Sequence, residues 1–303
     1  MLTVFAVPKA FDGEFGRIQR NALGSWRALG DELEIVLIGN EAGVAEEAAA
    51  IGAVHVPLVR RDEWGAPLVN EVFRIGSEVA KGELQAYINS DILLMRDFLG
   101  VLEALKGFRR PVLVIGQRWD LNFQEAIDFS DPTWEKRIAF EVSARGTLHH
   151  PSGMDYFLFR RGAWKEIPPF ALGRTMWDNW LVYSARSRGL AVVDATPSLL
   201  AVHQDHSYGP RPEAYDWVWN GPQAQKNLEL AKGFDHYFTN EDATHRLVGG
   251  KVRIALDRDH LTRRWARFWI LWPPAAAFSS FLRRISKLIY GARVRVARWR
   301  GRI

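Results

Sequence analysis

The chain has 303 residues, 48% of them hydrophobic and 12% aromatic, which is enough apolar material for one large α/β domain with a proper core. It contains no cysteine, so a disulfide framework and thiolate metal sites are excluded, and a reducing compartment is a natural setting. The net charge of +5 is unevenly spread: no acidic residue follows Asp259, and eleven Lys or Arg lie from His260 to Ile303.

A slightly acidic body therefore carries a strongly basic tail, and the basic balance gives no argument for nucleic-acid binding by the body. The opening Met1-Leu2-Thr3-Val4-Phe5 has no basic region and no small-residue cleavage site, so it reads as a first strand and not as a signal peptide. Thr3 to Val7 is that strand, ended by Pro8 and a loop through Gly13 and Gly16. Ile18, Ala22, Trp26 and Leu29 then fall on one helical stripe. Leu33 to Ile38 reads as a second buried strand, Ala42 to Ile51 as a helix and Ala53 to Val59 as a third strand. Leu68 to Ala80 is helical by spacing, and Leu84 to Ile88 is a fourth strand running straight into Asn89-Ser90-Asp91. Asp97 to Leu105 (helix) and Val112 to Ile115 (strand) follow.

This cadence over residues 1–118 predicts a mostly parallel, doubly wound sheet with helices on both faces. Ligands of such sheets sit beyond the carboxyl ends of the strands, where Pro8, Lys9, Asn40 and Asn89-Ser90-Asp91 would converge. The dinucleotide fingerprint and the P-loop are both absent, which removes the main support for an NAD or ATP-hydrolysing site. After residue 118 the cadence breaks. Trp119 to Pro151 holds one plausible helix, Trp134 to Ala144. A strand from Asp155 to Phe159, a helix from Trp177 to Arg188, a strand from Ala191 to Ala195 and a helix from Pro222 to Phe234 complete the body.

Three motifs carry the chemistry. In Tyr87-Ile88-Asn89-Ser90-Asp91-Ile92-Leu93-Leu94 a carboxylate sits at the tip of an apolar strand. A strand-end Asp plus a diphosphate is a reasonable partial shell for Mg²⁺ or Mn²⁺, although Asn-Ser-Asp equally suits a plain turn. In Gly173-Arg174-Thr175-Met176-Trp177-Asp178-Asn179-Trp180, Asp178 lies near a helix N-terminus, whose dipole would keep it ionised as a general base; a capping residue between core tryptophans is the simpler alternative. In Val202-His203-Gln204-Asp205-His206-Ser207-Tyr208, two histidines three residues apart flank an Asp, a pattern that suits a metal site, although a histidine is more often a satisfied core or surface residue.

Together these motifs resemble GT-A fold glycosyltransferases, the nucleotide-diphospho-sugar transferases, over residues 3 to 208. The strand followed by Asn89-Ser90-Asp91 is similar to that family's D-x-D element in a variant with Asn first. The resemblance implies that Asp91 binds a divalent metal, Mn²⁺ or Mg²⁺, on the donor's diphosphate. It implies His203 as a further ligand with His206 in reserve, and Asp178 as the base of an inverting transfer. Asn89 is expected on the donor ribose or sugar, and Asp155 on the donor sugar or capping a turn. Lys9 and Arg60 are expected at nucleotide phosphate or as solvated charges. Trp177, Asn179, His206 and Tyr208 are expected to meet substrate.

Beyond the body, Phe268-Trp269-Ile270-Leu271-Trp272 is too short to span a bilayer. Phe278, Phe281, Leu282, Ile285, Leu288 and Ile289 form an apolar stripe among arginines, as an interfacial helix on anionic lipid needs. The expectation is a GT-A catalytic domain over 1–258, with a nucleotide-binding half (1–118) and an acceptor-binding half (119–258). A membrane-associating tail over 259–303 would hold it at the cytoplasmic face of a membrane. Its partners would be a nucleoside-diphosphate-sugar donor and a glycan or lipid-linked acceptor. The alternatives are a sugar-phosphate nucleotidyltransferase, disfavoured by a Pro8–Gly16 loop without a Gly-rich, Arg-containing run, and a non-catalytic glycan-binding protein of transferase fold.

Overall fold

The computed structural model describes residues 1–206 and 214–272. Tyr208 and the expected helix and arginine run beyond Trp272 lie outside the described residues. The first half alternates as its hydrophobic spacing requires: β1 (Leu2–Ala6), α1 (Gly13–Arg27), β2 (Leu33–Ile38), α2 (Val44–Ile51), β3 (Val54–Val56), α3 (Val69–Val79), β4 (Leu84–Ile88), β5 (Ile92–Leu93), α4 (Asp97–Lys106) and β6 (Val112–Ile115). The second half adds β7 (Trp119–Leu121), α5 (Trp134–Arg145), β8 (Thr147–Leu148), β9 (Tyr156–Arg160), α6 (Trp177–Ser187), β10 (Ala191–Asp194), β11 (Val202–Gln204), α7 (Ala214–Asn220), α8 (Pro222–Leu230), β12 (His245–Val248), β13 (Lys251–Ile254) and α9 (Arg258–Leu271).

Nine strands form one sheet in the order β13-β12-β10-β6-β9-β4-β1-β2-β3. All but β9 and β13 run the same way, so the sheet is mostly parallel, as expected. Alternating residues of each central strand enter two separate cores. Val4, Ile35, Ala86 and Ile88 pack with Trp26, Val44, Phe98 and Val101 from α1, α2 and α4 on one face. Phe5, Val36 and Tyr87 pack with Val72, Phe73, Leu181 and Val182 from α3 and α6 on the other. This two-sided burial is why the strands read as unbroken apolar runs. The helix over α3 comes close at Gly76, where a Cβ would stand 2.7 Å from the Phe5 ring.

Several boundaries differ from expectation. The third strand is shorter than Ala53–Val59, because Pro57 supplies no ladder donor. The helix expected to reach Phe234 stops at Leu230, where Lys232 and Gly233 take positive φ. Six strands were not foreseen. Four of them (β5, β7, β8 and β11) are two or three residues long and form a small second sheet, ordered β5-β11-β7-β8. The other two, β12 and β13, form a hairpin over Gly249-Gly250, whose φ values of 58° and 71° suit a type I′ turn.

Candidate active site

Strand order fixes where the site can be. The chain leaves β1 for β2 and β3 on one side and returns to β4 on the other, so the order reverses at the β1/β4 pair. Outside the carboxyl ends of these two strands is the crevice such sheets use for ligands. Pro8 and Lys9 leave β1 there, and Asn89-Ser90-Asp91 leaves β4. The latter segment is a turn, closed by Ile92 N–H donating to the Asn89 carbonyl at 3.1 Å, and it carries the carboxylate of Asp91 at its tip. The turn and the ligand readings of this motif are thus compatible.

The small sheet delivers the histidines. β11 pairs antiparallel with β5 and parallel with β7, which sets His203 beside Ile92 on one side and Asp120 on the other. The Nε2 atoms of His203 and His206 lie 3.8 and 3.4 Å from Asp91 Oδ2. One atom from each of the three residues fits within 4.8 Å of the others. The spacing of His203 and His206 left open which faces the carboxylate; both do. Buried Gln204 holds the strand in place, donating to the carbonyls of Ile18 (3.0 Å) and Asp91 (3.3 Å) and accepting from Asn21 (2.9 Å). Helix α1 also grips β5, through Trp26 Nε1 donating to the Ile92 carbonyl at 2.8 Å.

A second layer of polar groups ties these residues together. Tyr87 donates its hydroxyl to Asn89 Oδ1 at 2.9 Å, and Asn89 donates to Asp155 Oδ1 at 2.5 Å. Arg118 bridges Asp155 (2.5 Å) and Asp120 (2.9 Å). Asp120 in turn stands 3.2 Å from His203 Nδ1 and 2.5 Å from His149 Nδ1. Burial opposes the charge on Asp91, but His206, His203 and Arg118 overcome it and hold the carboxyl well below its ordinary range. Burial likewise opposes the His203 cation, and Asp120, Asp205 and Asp91 outweigh it, lifting the ring to about 9. Asp120 is held low by His149, His203 and Arg118 against the same desolvation.

Asp178 belongs to this neighbourhood. The ring of Trp177 packs edge-on against Tyr87 at 5.4 Å, and the carboxyl of Asp178 feels the charges of Asp155 and Arg118. The expectation that the helix N-terminus keeps it fully ionised is corrected. Burial raises it to about 7 despite a hydrogen bond from the Asn179 N–H, and its Oδ1 is buried without a hydrogen-bond partner.

The remaining expected residues divide. Pro8 is buried, and Lys9 sets its ammonium 3.9 Å over the Phe15 ring. The same Phe15 ring packs at 4.8 Å against His206, so it underlies one rim of the cluster. Desolvation lowers the Lys9 ammonium below its ordinary value while Asp91 opposes the shift. Asn40 is exposed at the end of β2. Arg60 is 75% exposed and its ion-pair partner is Glu71 of α3 at 3.7 Å, so the structure turns it toward that helix. Two substrate assignments are corrected. Trp177 is a core ring packed on Tyr87 and Phe157. Asn179 is 2% exposed and spends its amide on the Phe238 carbonyl at 2.8 Å.

Arg118, Asp120 and His149 were missed. The strand Val112–Ile115 points at Arg118-Trp119-Asp120 just as β4 points at Asn89-Ser90-Asp91, and that parallel was the available signal. Nothing local to His149-His150 marks it, since its partner is 29 residues away.

No protein-family model matches the sequence, and no curated protein sequence matches it. Among solved structures the chain is similar to a glucosyl-3-phosphoglycerate synthase from Mycobacterium tuberculosis in complex with Mg²⁺ and uridine diphosphate, at 14% identity and TM-score 0.46 over 77% of this chain and 80% of that one. It is also similar to S. aureus TarS 1–349 in complex with UDP-GlcNAc, at 13% identity and TM-score 0.46 over 78% of this chain and 72% of that one.

Proposed function

We propose that the chain is a GT-A-type glycosyltransferase that moves a sugar from a nucleoside-diphosphate donor to an acceptor hydroxyl. The observation that carries this reading is the convergence of Asp91, His203 and His206 outside the β1/β4 switch point, with Asp178 in the same neighbourhood. A divalent cation suits the donor set, because Oδ1 of Asp91 is buried without a hydrogen-bond partner and the three ligating atoms lie within 4.8 Å of one another. One carboxylate with two imidazoles favours Mn²⁺ over Mg²⁺, which prefers oxygen ligands. Such a cation, when bound, supplies positive charge against the diphosphate as it leaves.

The chain's own residues do the rest. Lys9 adds a cation at the carboxyl end of β1, near Asp91. Asn89 and Asp155, locked to each other and to Arg118, brace the turn that carries Asp91. Asp178, with its carboxyl near 7 and a free buried oxygen, is suited to take the proton of an acceptor hydroxyl as that oxygen attacks the anomeric carbon. A displacement in one step with this base inverts the anomeric configuration.

A thermal-shift screen of nucleoside diphosphates and diphosphate-sugars, with and without Mn²⁺, tests the reading. A shift that needs both nucleotide and Mn²⁺ supports it. Stabilisation by nucleoside triphosphates alone would favour a nucleotidyltransferase, and no response to any nucleotide would favour a non-catalytic glycan binder.

A further inference from the structure

Helix α9 is bolted to the body by one face only. Nε of Arg263 and Nε of Arg267 lie 3.1 and 3.2 Å from Oδ1 of Asp242, whose side chain is fully buried. Arg267 also donates to the Tyr237 carbonyl at 2.6 Å, and Arg264 donates to the Thr244 carbonyl. Asp257 caps the helix by accepting from the His260 N–H at 3.2 Å, and the Trp269 ring is buried beneath. These arginines therefore face inward, which reverses the usual arrangement of a surface helix.

The outward face is apolar. Leu261, Trp265, Phe268 and Trp272 recur at spacings of four, three and four, which places them on one stripe, and they are 47%, 53%, 38% and 55% exposed. Val248 and Ile254 of the preceding hairpin, and Leu256 after it, are exposed as well. Seven of the seventeen large hydrophobic side chains exposed among the described residues thus fall within residues 248–272. Lys251, Arg253 and Arg258 are exposed beside them, as are Asp257 and Asp259, and residues 273–303 hold eight Lys or Arg and no acid.

We infer that the α9 stripe seats the protein on an anionic lipid surface. Tryptophan, apolar at its body and polar at its N–H, is the side chain best suited to the boundary between acyl chains and headgroups. The cations in the hairpin and after Trp272 match anionic headgroups, and such two-part binding is what peripheral attachment needs. No described helix is long and apolar enough to cross a membrane. Pairing of two α9 stripes between copies of the chain is disfavoured, since each stripe is followed by 31 residues with eight Lys or Arg and no acid. Because α9 is fixed to Asp242, the surface holds the whole body in one orientation.

Co-sedimentation of the full chain with phosphatidylcholine vesicles, and with vesicles a quarter phosphatidylglycerol, tests this. The wild type should sediment with the anionic vesicles, be released by salt and stay free of the neutral ones. The triple variant Trp265→Ala, Phe268→Ala, Trp272→Ala should keep its thermal midpoint and lose about tenfold in vesicle affinity. Its Mn²⁺-dependent response to nucleoside diphosphate should be unchanged. A wild type indifferent to anionic vesicles would overturn the inference. So would a triple variant that binds them equally well, or a wild-type dimer that the triple variant cannot form. Vesicle binding without any nucleotide response would leave this inference standing and sink only the catalytic reading.

Discussion

His203 stands opposite Asp120 in the parallel register of β11 and β7, and its Nδ1 lies 3.2 Å from the Asp120 carboxylate. A carboxylate beside Nδ1 draws that side of the ring toward itself and turns Nε2 toward Asp91. This is the arrangement by which an outer carboxylate orients a ligating histidine. Asp120, Asp205 and His203 also converge on one another. Arg118 already neutralises Asp120, however, so we assign that carboxylate the positioning role.

Asp120→Asn should therefore weaken Mn²⁺ affinity by about tenfold or more while the fold persists. Metal titration of the variant checks it. The Asp120→Glu variant should recover part of the loss, which a purely structural role would not predict.

The carboxyl of Asp178 near 7 gives the reaction an acid limb. A base must be deprotonated to act, so kcat/KM should fall about tenfold per pH unit below pH 7. Asp178→Asn should lose turnover by about a hundredfold or more and leave donor binding intact. Equal turnover would remove Asp178 as the base.

The same group makes a prediction about stability. Its folded value of about 7 lies above the ordinary 3.8, so folding takes up a proton between these values. Asp178 thus costs stability increasingly as pH rises from about 4 to about 7, and the full cost remains above 7. Asp178→Asn should melt a few degrees higher than the wild type at pH 8, with the difference shrinking toward pH 4. A lower melting point for the variant at pH 8 would contradict the burial argument.

Asp242 is the fully buried carboxylate that receives Arg263 and Arg267 from α9. Asp242→Ala removes the buried carboxylate that two largely buried guanidinium groups share, which should cost about 3 kcal/mol. Denaturant unfolding measures the loss, and hydrogen exchange should place it first in α9.

The sequence was most legible where burial is two-sided. Residues such as Val4, Val36 and Ile88 enter cores on both faces of the sheet, so their strands run apolar without interruption and sit where spacing predicts. Asp91 and His203 could be singled out because each adjoins an apolar strand. The small sheet was not legible. A three-residue strand such as β11 has no measurable period, and what sets it is pairing with β5 and β7, each more than 80 residues distant in sequence. For the same reason Arg118, Asp120 and His149 escaped notice, being recruited by long-range contacts and not by a local motif. Trp177 and Asn179 were misjudged because a ring and an amide flanking a carboxylate look alike in sequence whether they face solvent or core. Only the packing of α6 on Tyr87 and Phe238 decides.

Mn²⁺ binding followed by electron paramagnetic resonance, with and without a nucleoside diphosphate, tests the central claim most directly. One Mn²⁺ per chain should bind, more tightly with the nucleotide present, and Asp91→Asn and His206→Ala should each lose it. Undiminished Mn²⁺ binding in both variants would show that Asp91, His203 and His206 do not form the metal site.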